Sequence, residues 1–190
     1  SAAMVPMLEK RLEAEPKPEV KAVLARLLGE AKQPSSVEAL INAINPAASD
    51  TDAKTMNKEI AVALGKIDDP KGAPALTKLL KTKDNYTVIA AIEALGAMKA
   101  QEGFEGLYAI ATDGAIEPFI TKKAIIGLGN LGDPRAVPGL VRAMFTERKG
   151  ISFYMEASFA LYQLGKPAAD ALVPVVEAKD KDLLEWASKN

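Results

Sequence analysis

Five segments of this chain line up on a leucine near the end of an apolar, helix-like stretch. They are "LARLLGEAKQPSSVEAL", "AVALGKIDDPKGAPAL", "IEALGAMKAQEGFEGL", "IIGLGNLGDPRAVPGL" and "SFALYQLGKPAADALV". The anchoring residues Leu28, Leu64, Leu95, Leu128 and Leu161 are separated by 36, 31, 33 and 33 positions. Six residues beyond each anchor stand Pro34, Pro70, Gln101, Pro134 and Pro167, and twelve beyond stand Leu40, Leu76, Leu107, Leu140 and Val173. The same register reaches back to Leu8 in "VPMLEKRL", which matches "VPGLVRAM". A period of this length with two helical stretches per unit means that no unit buries its apolar side alone. Units must stack on their neighbours.

Apolar residues recur at three- and four-residue steps, as in "VKAVLARLLGE" and "IAVALGKI", and no long stretch alternates as a strand does. The expected fold is therefore all-α, with about eleven or twelve helices and no strand. In each unit a first helix ends at the "ALG" motif, and Asp69, Asp133 and Gln33 stand before a proline as candidate N-caps of the second. The third unit, "AMKAQEGFEGL", lacks the Asp-Pro pair, so a looser turn is expected there. "EAEPKPEV" reads as a stiff loop inside the array, "TERKG" as a polar connection, and "SDTDAK" as an inter-helix loop capped by Ser49, Thr51 or Asp52.

The segments "ALGKIDDPKGAPALTKLL" and "GLGNLGDPRAVPGLVRAM" resemble the HEAT-repeat family, in particular the short-repeat subgroup related to phycobilisome-lyase HEAT domains. The resemblance implies a right-handed α-solenoid of about five to six helix pairs, armadillo-like in architecture, with the first helices lining a concave face. It gives one array over residues 5–190, with 1–4 as a tag scar or unstructured start. Trp186 falls 33 residues after Phe153, at an inward position of a last, incomplete first helix.

"GLGNLG" spells a nucleotide-binding glycine string, with Glu147 twenty residues beyond Gly127. Such a loop needs a strand before it and a helix opening after it. Here the glycines end a helix, whose partial negative charge repels phosphate. Gly127 aligns with Ala63, Ala94 and Ala160, and only Gly129 recurs as glycine, at Gly65 and Gly96. Small-residue helix packing is the expected role.

The sequence holds no His and no Cys, which removes the commonest general base, Ser-His-Asp and Cys-His catalysis, and His-bearing zinc sites. No catalytic residue, cofactor or metal is assigned. Asp68-Asp69 reads as a turn and cap rather than a metal site, and "SDTDAK" lacks the glycine and closing Glu of a calcium loop. With 24 basic against 25 acidic residues, the chain has no global field for nucleic acid or an anionic membrane. A DNA-glycosylase-like groove is not supported by five scattered Arg residues and one Trp near the C-terminus. No apolar run is long enough to span a bilayer. A cytoplasmic location is expected, with a mature secreted or periplasmic form as the alternative, and the chain reads as a monomer or part of a larger protein.

Taking Val20, Met56, Thr87, Ile120 and Phe153 as inward leaves a predicted concave strip of Arg26, Val62, Ile89, Glu93, Lys122, Ile126, Met155 and Phe159. A solvent-facing groove has no need of Val, Ile, Met and Phe, which marks the strip as a partner-binding surface. A register shifted by one residue places these side chains in the core instead. Lys58, Lys66, Lys122 and Lys123 are either a basic patch or solvated lysines interspersed with Glu59, Glu93 and Glu156. Two functions follow: a non-catalytic scaffold binding a protein or peptide in the groove, or, as the resemblance implies, a bilin lyase or lyase subunit acting on a tetrapyrrole.

Overall fold

The computed structural model describes residues 4–188, in which twelve α-helices account for most of the chain. Contacts divide it into two compact units, Ser1–Gly103 and Phe104–Asn190.

In the first unit, α2 (Pro18–Ala31), α4 (Thr51–Ile67) and α6 (Asn85–Ala97) form one layer. Helices α1 (Val5–Ala14), α3 (Val37–Asn42) and α5 (Ala73–Leu79) pack against that layer. In the second unit, α8 (Pro118–Leu131) and α10 (Tyr154–Leu164) form the first layer. Helices α7 (Phe104–Thr112), α9 (Val137–Met144) and α11 (Lys166–Val176) form the other, and α12 (Lys181–Ala187) closes the described chain. Among the described residues no helix is long and apolar enough to cross a membrane.

The sequence repeat is visible as a repeated joint. The anchors Leu28, Leu64, Leu95, Leu128 and Leu161 are each at most 2% exposed. Four residues later the chain turns left-handed, at Lys32 (φ 51°), Asp68 (φ 59°), Lys99 (φ 50°), Gly132 (φ 77°) and Gly165 (φ 67°). The amides of Asp68 and Gly132 donate to the carbonyls of Leu64 and Leu128 at 3.1 and 3.3 Å, ending the helix with an αL cap. Gly132, the last glycine of the apparent nucleotide string, is therefore a helix terminator. A one-turn 3-10 segment then opens the next helix, at Pro34–Ser36, Pro70–Gly72, Gln101–Gly103 and Pro134–Ala136.

The turn at Gln101–Gly103 closes as tightly as the others, with the Gly103 amide 2.9 Å from the Ala100 carbonyl. The expected looseness is absent because the αL residue and the backbone bonds build the joint, and proline only preorganises it. Asp69 and Asp133 cap as expected, accepting from the amides of Lys71 and Arg135. Gln33 does not: its side chain donates to the Ala31 carbonyl instead. The cap of α4 is Asp50, which accepts from the Ala53 amide at 2.8 Å. Ser49, Thr51 and Asp52 do not fill that role.

In three of the joints the middle glycine lets two first helices touch. A Cβ on Gly29 would lie 2.7 Å from the Ala63 Cα, and one on Gly65 2.8 Å from the Ala94 Cβ. On Gly129 it would lie 2.7 Å from the Ala160 Cα. None of these spaces admits a side chain unless the helices move apart.

Two further details correct the sequence reading. "TERKGIS" is a small hairpin, with β1 (Glu147–Arg148) antiparallel to β2 (Ile151–Ser152), so the chain is not strand-free. Lys149 and Gly150 form its two-residue loop, both with positive φ, the geometry a type I′ turn requires. Trp186 does not take the place of Phe153 one repeat on. Phe153 is 1% exposed at the start of α10, whereas Trp186 is half-buried over a cavity lined by residues of α7 and α9. Residues 1–3 of the expected unstructured start, and 189–190 of the last segment, lie outside the described residues.

Candidate functional site

The inward register holds: Met56, Thr87, Ile120 and Phe153 are buried, and Val20 is half-buried. Every residue of the predicted strip reaches solvent. Arg26, Glu93, Met155 and Phe159 are exposed, and Val62, Ile89, Lys122 and Ile126 are half-buried. None belongs to the core, so the one-residue shift is excluded. Two neighbours in the same register, the small residues Ala22 and Ala90, are buried.

The strip divides between the units, and the two portions differ in chemistry. In the first unit it is mixed and largely self-neutralised. Lys66 Nζ donates to Glu30 Oε1 at 2.6 Å, and Lys58 pairs with Glu59 at 3.0 Å. Lys66 hydrogen-bonds Glu30 and so holds its carboxyl below the ordinary value, with the ammonium charge adding to the effect. Val23 and Leu27 of α2 are each 45% exposed beside Arg26.

In the second unit the strip is apolar. Met155 is 73% exposed and Phe159 55%, and they stand four residues apart on α10, on one helical stripe. Tyr162, three residues further along that stripe, is 81% exposed. Phe119 on α8 and Tyr154 on α10 are also exposed. Two bonds tie α8 to α10 across this face: Lys122 Nζ to Glu156 Oε1 at 2.8 Å, and Gln163 Nε2 to Asn130 Oδ1 at 3.0 Å. Lys123 lies 5.8 Å from the Phe119 ring centroid. The lysines of the supposed basic patch are thus engaged with carboxylates or an aromatic ring where they meet this face.

Sequence reasoning missed Phe119, Tyr154 and Tyr162. For Tyr162 a signal was present, because it occupies the place that is Gly29, Gly65, Gly96 and Gly129 in the other repeats. Gly29, Gly65 and Gly129 allow the next first helix to approach within contact of the backbone. A tyrosine cannot offer the same bare backbone, and here it stands in solvent on the flank of α10.

Chemistry is sparse elsewhere. Among the described residues no group of Asp and Glu is arranged to hold a metal ion. The buried polar side chains are structural. Asn57 accepts from the Asn45 amide at 2.9 Å and donates to its carbonyl at 2.6 Å, pinning the long loop before α4. Asp133 accepts from the Arg135 guanidinium at 2.7 Å, and this bond holds its carboxyl below the ordinary range. Arg135 in turn lies over the Phe104 ring at 3.9 Å.

Comparison with known proteins identifies the joint. A model of HEAT repeats matches residues 5–96 and 46–119, and a model of the PBS lyase HEAT-like repeat matches residues 122–146. The chain belongs to the HEAT-repeat family. No curated protein matches it at a significant level. Among solved structures it is similar to the complex of CpcE and CpcF of phycocyanin lyase from Nostoc sp. PCC7120. That match has TM-score 0.64 and 22% identity, over 96% of this chain and 74% of that one. It is also similar to human deoxyhypusine hydroxylase, with TM-score 0.55 and 24% identity, over 90% of this chain and 66% of that one. An engineered protein matches with TM-score 0.59 and 20% identity, over 97% and 93% of the two chains. At these identities the likeness is one of fold: an all-α repeat.

Proposed function

We propose that the chain is a non-catalytic HEAT-repeat adaptor that binds a protein or peptide on the outer face of its first helices. Met155 and Phe159 supply the apolar centre. Lys122 and Ile126 flank them in the second unit, and Arg26, Val62, Ile89 and Glu93 offer a mixed surface in the first. The observation that carries this reading is the exposed stripe of α10. Three large side chains, Met155, Phe159 and Tyr162, are more than half in solvent while the opposite side of the same helix is fully buried. Aromatic and Met side chains are enriched where interfaces form and contribute most when desolvated at the centre of one.

The second reading, a lyase subunit acting on a tetrapyrrole, is favoured by the lyase-type HEAT model over residues 122–146 and by the likeness to the CpcE–CpcF complex. One experiment separates the two. The wild-type chain and Phe159→Ala are used as bait, and each is also incubated with a free bilin. An adaptor loses about tenfold in partner capture on Phe159→Ala, a loss of roughly 1.4 kcal/mol, at an unchanged melting temperature. It also leaves the bilin spectrum unaltered. A bilin absorbance shift in the wild type, or capture that survives Phe159→Ala undiminished, overturns the adaptor reading.

A further inference from the structure

The second unit contains a cavity of about 380 Å³ on the side of α7 and α9, away from the α8–α10 stripe. Its size falls in the range of small-molecule sites. Tyr108, Phe145 and Trp186 are aromatic residues of its lining, and Arg142 and Arg148 are its two cationic ones. Tyr108 is held in position from two sides. Its ring stacks on Phe104 at a centroid distance of 5.5 Å, and Gly139 leaves room for it where any Cβ would come within 2.7 Å of the ring.

Among the described residues neither guanidinium is paired with a carboxylate. Arg148 donates through Nη1 to the carbonyls of Asp113 (2.7 Å) and Ile116 (3.3 Å) and through Nη2 to Thr121 Oγ1 (2.7 Å). All three acceptors are uncharged. The Arg148 Nε is buried and has no acceptor, although the guanidinium lies 4.8 Å from the Phe153 ring centroid. A buried, unpaired donor on a charged group is costly, and in native proteins it calls for a reason. Arg142 makes no side-chain hydrogen bond or ion pair among the described residues. The one carboxylate at the cavity, Glu147, is exposed and pairs with neither arginine. Two uncompensated planar cations beside aromatic walls match a ligand that is itself flat and negatively charged. Guanidinium meets carboxylate with geometry as well as charge, and rings stack on rings.

We propose that this cavity binds a small aromatic carboxylate, with its ring against Tyr108, Phe145 and Trp186 and its carboxylate toward Arg142 and Arg148. The site is separate from the partner-binding stripe and stands whether or not that reading holds. The chain has one tryptophan, so the single indole N–H resonance in a ¹H–¹⁵N spectrum reports on the cavity wall directly. The full chain is titrated with 2-naphthoate and, in parallel, with the neutral 2-naphthylmethanol, and affinities are measured by calorimetry. The expected result is a saturable shift of the Trp186 resonance with 2-naphthoate and binding of the alcohol about tenfold weaker or less.

Arg148 also ties the β1–β2 hairpin to the loop before α8, so its removal loosens the fold. Arg142 is exposed and its side chain has no partner among the described residues, which makes Arg142→Ala the informative variant. It is expected to keep the melting temperature and lose about tenfold in affinity for 2-naphthoate. No saturable shift at millimolar 2-naphthoate, equal binding of the alcohol, or full affinity in Arg142→Ala each overturns the proposal.

Discussion

Places that carry Arg26, Val62 and Glu93 in the first unit carry Ile126 and Phe159 in the second, yet the joints beneath them are the same. Leu64 and Leu128 are each 1% exposed, and Gly65 and Gly129 each meet an alanine of the following first helix. The repeat constrains what faces inward and what ends a helix. It leaves the outer face free, and the two units have used that freedom differently. The first carries two ion pairs beside partly exposed Val23 and Leu27, and the second carries one ion pair beside the more exposed Met155, Phe159 and Tyr162. A partner surface in such a fold is found where outer residues stop resembling a solvated helix, and the repeat itself carries no information about it.

The comparison is most exposed to test in the interior. Leu128→Ala and Leu64→Ala each remove a fully buried side chain held between two layers, and each is expected to cost about 2–5 kcal/mol. Thermal or denaturant unfolding measures both. Similar losses support equivalent joints, whereas a loss below about 1 kcal/mol at either site means that its leucine is not a packing anchor.

Smaller, and more specific to the joint, is the glycine. Gly129→Ala puts a methyl group 2.7 Å from the Ala160 Cα, and Gly65→Ala puts one 2.8 Å from the Ala94 Cβ. Helix propensity alone favours alanine by about 1 kcal/mol. The clash is with a neighbouring helix, which cannot swing away as a flexible side chain does, so overpacking wins and both variants are expected to lose about 1–3 kcal/mol. A stabilised Gly129→Ala protein means that the two first helices are not in close contact there. Nucleotide binding lost in the same variant contradicts the packing role outright.

Much of the interior was legible because it repeats. Five leucines, a recurring glycine and the Asp-Pro pairs each mark a position that only one geometry satisfies. The strip was legible too, since one inward residue per helix sets the direction of all the others. What escaped is what breaks the period. The Lys149–Gly150 turn is not a strong hairpin signal of the Asn-Gly kind, and its strands are two residues long, too short to show alternation. Val173 keeps the register of Leu140 yet is 54% exposed, because no described helix stacks over it as α10 does over α9. Period also misassigned Trp186. Tyr162 stands in place of the repeated glycine, and α12 lies with Leu183 buried in an apolar cleft beside Phe145 and Val175. The cavity arginines lie in the second-layer helix and the hairpin, outside the pattern of first-helix faces, so no spacing rule gathers them.

The smallest expected difference lies at the caps. Asp133 of the second unit accepts from the Arg135 amide at 2.9 Å and from its guanidinium at 2.9 and 2.7 Å. Asp69, its counterpart in the first unit, caps the Lys71 amide, and no ion pair joins the two side chains among the described residues. The guanidinium bonds lower the folded pKa of Asp133, chiefly through the side-chain hydrogen bond. In the acid range the unfolded chain therefore binds this proton more readily than the folded one does, and stability rises with pH. The contribution is complete above the ordinary aspartate value of about 4 and is lost as pH falls through the lower folded value. Asp133→Asn keeps an oxygen that can cap the helix but removes the charge. Its stability deficit relative to wild type is expected to be small and constant at neutral pH, and to shrink as the pH is taken below about 4. Denaturant unfolding across that range measures it. A deficit that stays the same size into acid would mean that the Arg135 bond does not distinguish the charged from the neutral carboxyl. The two caps would then differ in sequence but not in energy.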